Sequence, residues 1–87
     1  MNVRRLSELP EGAEAILESI DLPADDARQL MMLGFLPGHR IEAALSAPGG
    51  DPRVYRVDGS EVALRQETAA RLMTTAVGNA IPAGKQR

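Results

Sequence analysis

A chain of 87 residues has room for one domain, and ordering costs of roughly 1.5 kcal/mol per residue nearly cancel what so thin a core gains by burial. Cysteine is absent, which removes disulfides and thiolate metal ligands, and Phe35 and Tyr55 are the only aromatic residues, so aliphatic side chains and alanine must fill the interior. The formal charge is −2, and all but one of the 10 basic residues are arginines scattered along the chain without a basic patch, so nucleic acid is not an expected partner.

No apolar run approaches the roughly 18 residues of a membrane span. Met1 to Pro10 carries Arg4 and Arg5 with no apolar stretch behind them, unlike a signal peptide. The expectation is a cytoplasmic protein without direct membrane insertion. Val3 to Leu9 reads as a lead-in closed by a Pro10-Glu11-Gly12 turn. Ala13 to Ile20 follows as a strand with Ala15 and Leu17 on one face, although Ile16 and Ile20 spoil the alternation.

A helix is predicted over about 23–33. Pro23 suits its first position, Asp25 and Asp26 meet the positive end of its dipole, and Ala27, Leu30, Met31 and Leu33 make an apolar stripe expected to pack inward. Gly34 is the natural left-handed residue after a helix, Phe35 its hydrophobic partner, and Pro37-Gly38 a turn that prevents continuation. From Arg40 the period becomes two, with Ile41, Ala43, Leu45 and Ala47 on one face. Pro48 to Pro52 is a loop and Arg53 to Val57 a strand. Asp58-Gly59 predicts a type I′ turn into the partner strand Ser60 to Leu64, because both turn residues need positive φ.

A short helix near 66–72 and a closing strand over Met73 to Val77 complete the domain, 1–77, while 78–87 reads as a flexible tail. The fold class is mainly β: about five short strands closing into a small barrel with one inserted helix, since closure removes exposed strand edges.

The run Ala27-Arg28-Gln29-Leu30-Met31-Met32-Leu33-Gly34-Phe35-Leu36-Pro37-Gly38 resembles the R-x-L-x-x-L-G-F-x-P-G element of ferrous iron transport protein A, the FeoA family. Leu6-Ser7-Glu8-Leu9 and Gly12 before it, and Glu61-Val62-Ala63-Leu64-Arg65 after a two-residue turn, fall in the same order. The resemblance implies an SH3-like barrel and a role beside a membrane ferrous iron permease, whose cytosolic GTP-binding domain is the expected partner. It also implies kinship with the C-terminal barrel of iron-dependent repressors, so a metal-responsive sensor module is the alternative function.

Catalysis is not expected: there is one histidine and no Walker-type phosphate loop, and nothing in the spacing selects a nucleophile with its base. No cofactor and no intrachain metal site are assigned. Ferrous iron favours two histidines plus a carboxylate, and a divalent transition metal would have only His39, Asp25 and Asp26 as candidates here. Partner binding is expected instead from Met32, Phe35, Leu36 and Pro37, which are hard to bury together in so small a core. Arg53, Arg56 and Arg65, from the hairpin and its exit, are expected to offer a basic face to an acidic partner or to a nucleotide phosphate that the partner supplies. Composition leaves the oligomeric state open.

Overall fold

In the hairpin that joins β4 (Arg53–Val57) to β5 (Ser60–Leu64), Asp58 and Gly59 both take positive φ, 55° and 81°. That backbone twist matches the twist of the strands it joins, which is why two residues suffice. The computed structural model describes residues 3–77, and the predicted tail 78–87 lies outside them.

Six strands form one antiparallel sheet in the order β1-β6-β2-β3-β4-β5. They are β1 (Val3–Arg5), β2 (Glu14–Ile20), β3 (Arg40–Ser46), β4, β5 and β6 (Leu72–Ala76). The expected five strands thus become six, because Val3–Arg5, read as a lead-in, pairs with Met73–Thr75 of β6. β1 and β5 occupy the two edges and do not pair with each other, so the expected closure is incomplete. Helix α1 (Ala24–Met32) fills the connection between the neighbouring strands β2 and β3, and the single turn α2 (Gln66–Ala69) links β5 to β6.

The core is aliphatic around two aromatic rings. Tyr55 and Phe35 are fully buried, with Leu6, Leu17, Ile41 and Leu72 packed in the same cluster. Burial of each such side chain contributes about 1.5–3 kcal/mol. Two strands break the period of two. A register shift between Leu17 and Ser19 of β2 brings Ile20 back against the core. A second shift, between Ala43 and Ser46 of β3, buries Ala44 and turns Leu45 out to 69% exposure, against the inward facing expected of Leu45. An inserted residue turns every later side chain to the other face.

The start and end of α1 follow local chemistry. Pro23 stands at the N-cap position, so α1 begins one residue later than expected, and Asp25 and Asp26 lie in its first turn. At the far end Gly34 donates its N–H to the Met31 carbonyl (3.0 Å) and Phe35 donates to Leu30 (3.1 Å), the paired bonds of a Schellman turn. Gly34 holds φ of 108° there, and an added Cβ would stand 3.2 Å from the Asp58 Cβ in the β4–β5 turn. The tight helix stop therefore locks the end of α1 against the hairpin.

Candidate partner-binding site

Of the nine residues of α1, only Leu30 is buried. The stripe expected to pack inward is divided: Met31 is 38% exposed and Leu33 47%, while Met32 is 81% exposed. The Schellman turn explains the division. It swings Phe35 under the helix end into the space that a second or third helical side chain would need, and Phe35 is completely buried. Phe35 is therefore a core plug, and its expected place on a contact surface is corrected. Leu36 is half-buried and Pro37 exposed, so Met32, Leu36 and Pro37 are the members of the expected set that reach the surface.

Beside them runs a groove of about 580 Å³ between α1 and the β5–α2 corner. Leu22, Met32 and Leu33 form one side, Ala63 the other, and the buried Leu30 and Leu64 its floor. Asp26 and Arg65, both exposed, add one charge of each sign, and neither enters an ion pair among the described residues. Sequence reasoning missed Ala63 and Leu64 as parts of a surface, and placed Arg65 on a basic face with Arg53 and Arg56, not beside α1. Its one available signal was the run of four apolar residues Leu30 to Leu33, which no single helix face can bury.

The arginines behave differently from the expected basic face. Arg53 is only 9% exposed. Its guanidinium donates to the Leu9 carbonyl at 2.6 Å, to the Ser7 carbonyl at 3.3 Å and to the Ser46 hydroxyl at 3.1 Å, and lies 5.7 Å from the centre of the Tyr55 ring. It ties the N-terminal segment to β4 and is withdrawn from any surface, which corrects that assignment. Arg56 does face solvent, but Glu61 (3.1 Å) and Glu42 (3.4 Å) neutralise it. The hydrogen bond that Arg56 donates to Glu61, helped by the Glu42 charge, raises the Arg56 pKa above its ordinary value. Burial raises that of Tyr55, whose hydroxyl meets the Leu6 carbonyl at 3.5 Å.

The three metal candidates are not gathered. His39, Asp25 and Asp26 are all exposed, and Asp25 pairs with Arg28 at 3.7 Å. Among the described residues no group of three or more His, Cys, Asp or Glu side chains comes together as a metal site. No helix among them is long and apolar enough to cross a membrane.

Residues 4–75 match the family model of the FeoA domain. The chain belongs to the FeoA family. A relative from Porphyromonas gingivalis, an Fe(2+) transport protein A/Fe(2+) transporter FeoB fusion protein, is 34% identical over 68 residues. That match covers 78% of this chain but 8% of the fusion protein, so the chain spans a small part of its relative's length. The FeoA protein of Chlorobium tepidum superposes with a TM-score of 0.82 at 27% identity, covering 88% of this chain and 73% of that one. The FeoA of Stenotrophomonas maltophilia, solved in complex with zinc and described as a procaryotic SH3 domain protein, is 40% identical. It covers 79% of this chain and 86% of its own, with a TM-score of 0.69. The mainly β, SH3-like fold and the family expected from Ala27 to Gly38 both hold. FeoA is a family of ferrous iron transport, and the S. maltophilia structure shows that a member can carry zinc.

Proposed function

We infer that the chain is a non-catalytic, cytosolic accessory protein of ferrous iron uptake that docks on the cytosolic GTP-binding domain of a ferrous iron permease. One observation carries this reading: in the P. gingivalis relative the same domain is joined to the transporter FeoB in one polypeptide. Two functions fused in one chain in one organism are favoured to meet as separate chains in another, since fusion raises the effective concentration of a pair that already associates. The contact residues proposed are Met32, Leu36 and Pro37, where α1 ends. Methionine is flexible and polarisable and suits a surface that must fit another protein.

The test is a calorimetric titration of the full chain against the permease's cytosolic domain, with and without guanine nucleotide. Saturable binding near micromolar affinity is expected, together with its loss in Met32→Lys while the melting curve stays unchanged. Absence of binding in both nucleotide states defeats the reading. The zinc complex of the S. maltophilia relative favours a second reading, a metal-responsive module. His39, Asp25 and Asp26 do not come together as a metal-holding group among the described residues, which gives that reading no support. A zinc or ferrous iron titration giving stoichiometric micromolar binding, lost in His39→Ala, would move the function to that reading.

A further inference from the structure

β5 is an edge strand, and the register of its hairpin fixes which of its backbone groups are unused. Antiparallel residues alternate between pairs that exchange hydrogen bonds and pairs that do not. The turn-closing pair Val57–Ser60 is bonded, and with it Tyr55–Val62 and Arg53–Leu64. Glu61 and Ala63 belong to the alternate pairs, opposite Arg56 and Val54, so their N–H and C=O groups point away from β4. Neither residue makes any further backbone hydrogen bond among the described residues. Ala63 lines the groove beside α1, and its side chain is too small to cover the strand edge.

A groove with an apolar floor of Leu30 and Leu64, bounded by a row of free peptide groups, has the parts of a strand-addition site. Main-chain bonds to the edge supply affinity, and alternate side chains of the added strand enter the apolar side. A helix laid in the same groove would leave the Glu61 and Ala63 groups unmatched. The unpaired charges select further. Asp26 calls for a basic residue and Arg65 for an acidic one, so the complementary strand carries aliphatic side chains between charges of opposite sign. A second copy of β5 is a poor match: Ser60 to Leu64 carries Glu61 but no basic residue to meet Asp26.

We propose that the groove between α1 and β5 binds an extended segment of the partner protein as an added strand on β5, hydrogen-bonded to Glu61 and Ala63, with aliphatic side chains against Leu30, Leu64 and Met32. This deepens the docking reading above and rests on it. The decisive variant is Ala63→Pro. Residue 63 gives no hydrogen bond to β4, and proline is accepted on an edge strand where its missing N–H would face outward, so the hairpin survives while strand addition is blocked.

The experiment uses the full chain and the permease's cytosolic GTP-binding domain, with amide hydrogen exchange read residue by residue. In the free protein the Glu61 and Ala63 amides exchange quickly. On adding the domain both become protected, and Ala63→Pro weakens binding about tenfold or more with an unchanged melting curve. Should Ala63→Pro fail to fold, protection at Glu61 and Ala63 in the wild type, abolished by Met32→Lys, decides the matter. Binding that leaves both amides fast, or survives Ala63→Pro at wild-type affinity, overturns strand addition and leaves the docking reading standing. Protection that grows with the chain's own concentration, without the domain, assigns the edge to a second copy and overturns the proposal too. No binding by the wild type overturns both.

Discussion

Arg53→Ala removes the only charged residue buried among the described residues and tests whether that arginine is structural. Its shortest bond, 2.6 Å to the Leu9 carbonyl, is buried and charge-assisted, and is worth about 2 kcal/mol. The 3.1 Å bond to the Ser46 hydroxyl and the Tyr55 ring contact contribute about 1 kcal/mol each, and the 3.3 Å contact to Ser7 less. The expected loss is about 3–4 kcal/mol, against a total stability of roughly 4–13 kcal/mol for a chain of this size. At about 4–8 °C per kcal/mol the melting temperature falls by more than about 12 °C. Arg53→Lys keeps the charge but not the fork of donors, and should lose about half as much. Arg53→Met restores volume yet leaves the Leu9 carbonyl without a donor, so it must not rescue. Urea unfolding followed by circular dichroism measures all three. An Arg53→Met protein as stable as the wild type, or an Arg53→Ala loss below about 1 kcal/mol, would refute the reasoning.

Phe35→Ala should cost about 3–5 kcal/mol in the same assay, whereas Met32→Ser, at a site 81% exposed, should leave stability within about 0.5 kcal/mol of wild type; similar losses from the two would show that the surface and the plug have been exchanged. Gly34→Ala forces a side chain into φ of 108° and to 3.2 Å from the Asp58 Cβ, and should lose about 1–3 kcal/mol by urea midpoint; an unchanged midpoint would contradict the turn. Burial lifts the Tyr55 pKa above its ordinary 10.0, so the folded state favours the neutral phenol. Its contribution is complete below pH 10.0 and is lost as pH rises through the higher folded value. Ultraviolet titration of this sole tyrosine should therefore show a raised midpoint that returns to the ordinary range in urea; a midpoint alike in both would refute it.

Where local chemistry decided, the sequence could be read directly. Asp58-Gly59 demanded one turn type, and Gly34 with Phe35 dictated how α1 stops, because both depend on φ preferences within a few residues. The facing of α1 was not legible from its spacing. Period 3.6 aligns Leu30, Met31 and Leu33 roughly on one side, but how far that side is covered depends on Phe35 returning beneath it. Leu45 was misread for a related reason: the bulge after Ala43 leaves no mark in the alternation until the partner strand is known. Arg53 was the hardest case. Its partners Ser7 and Leu9 lie 46 and 44 residues away, and an arginine is buried only where distant carbonyls converge on it. The candidate groove needed the same long-range information, since α1 and the β5–α2 corner meet only in the folded chain.

Helix α1 enters the chain between two strands that are already neighbours in the sheet, and this has a consequence for how the family can diversify. Leu17 donates its N–H to the His39 carbonyl and accepts from Gly38, so the end of the insertion is stitched back to the strand it left. The sheet register therefore tolerates change at the exposed residues of the insertion, and lengthening such a connection costs only about 0.6 kcal/mol per doubling. Exposed positions such as Met32 and Leu33 can drift with a partner's surface while Leu30, Gly34 and Phe35 stay fixed. On the docking reading proposed above, recognition and folding fall to different residues of α1 and its exit turn, so partner choice can be rewritten without renegotiating the scaffold.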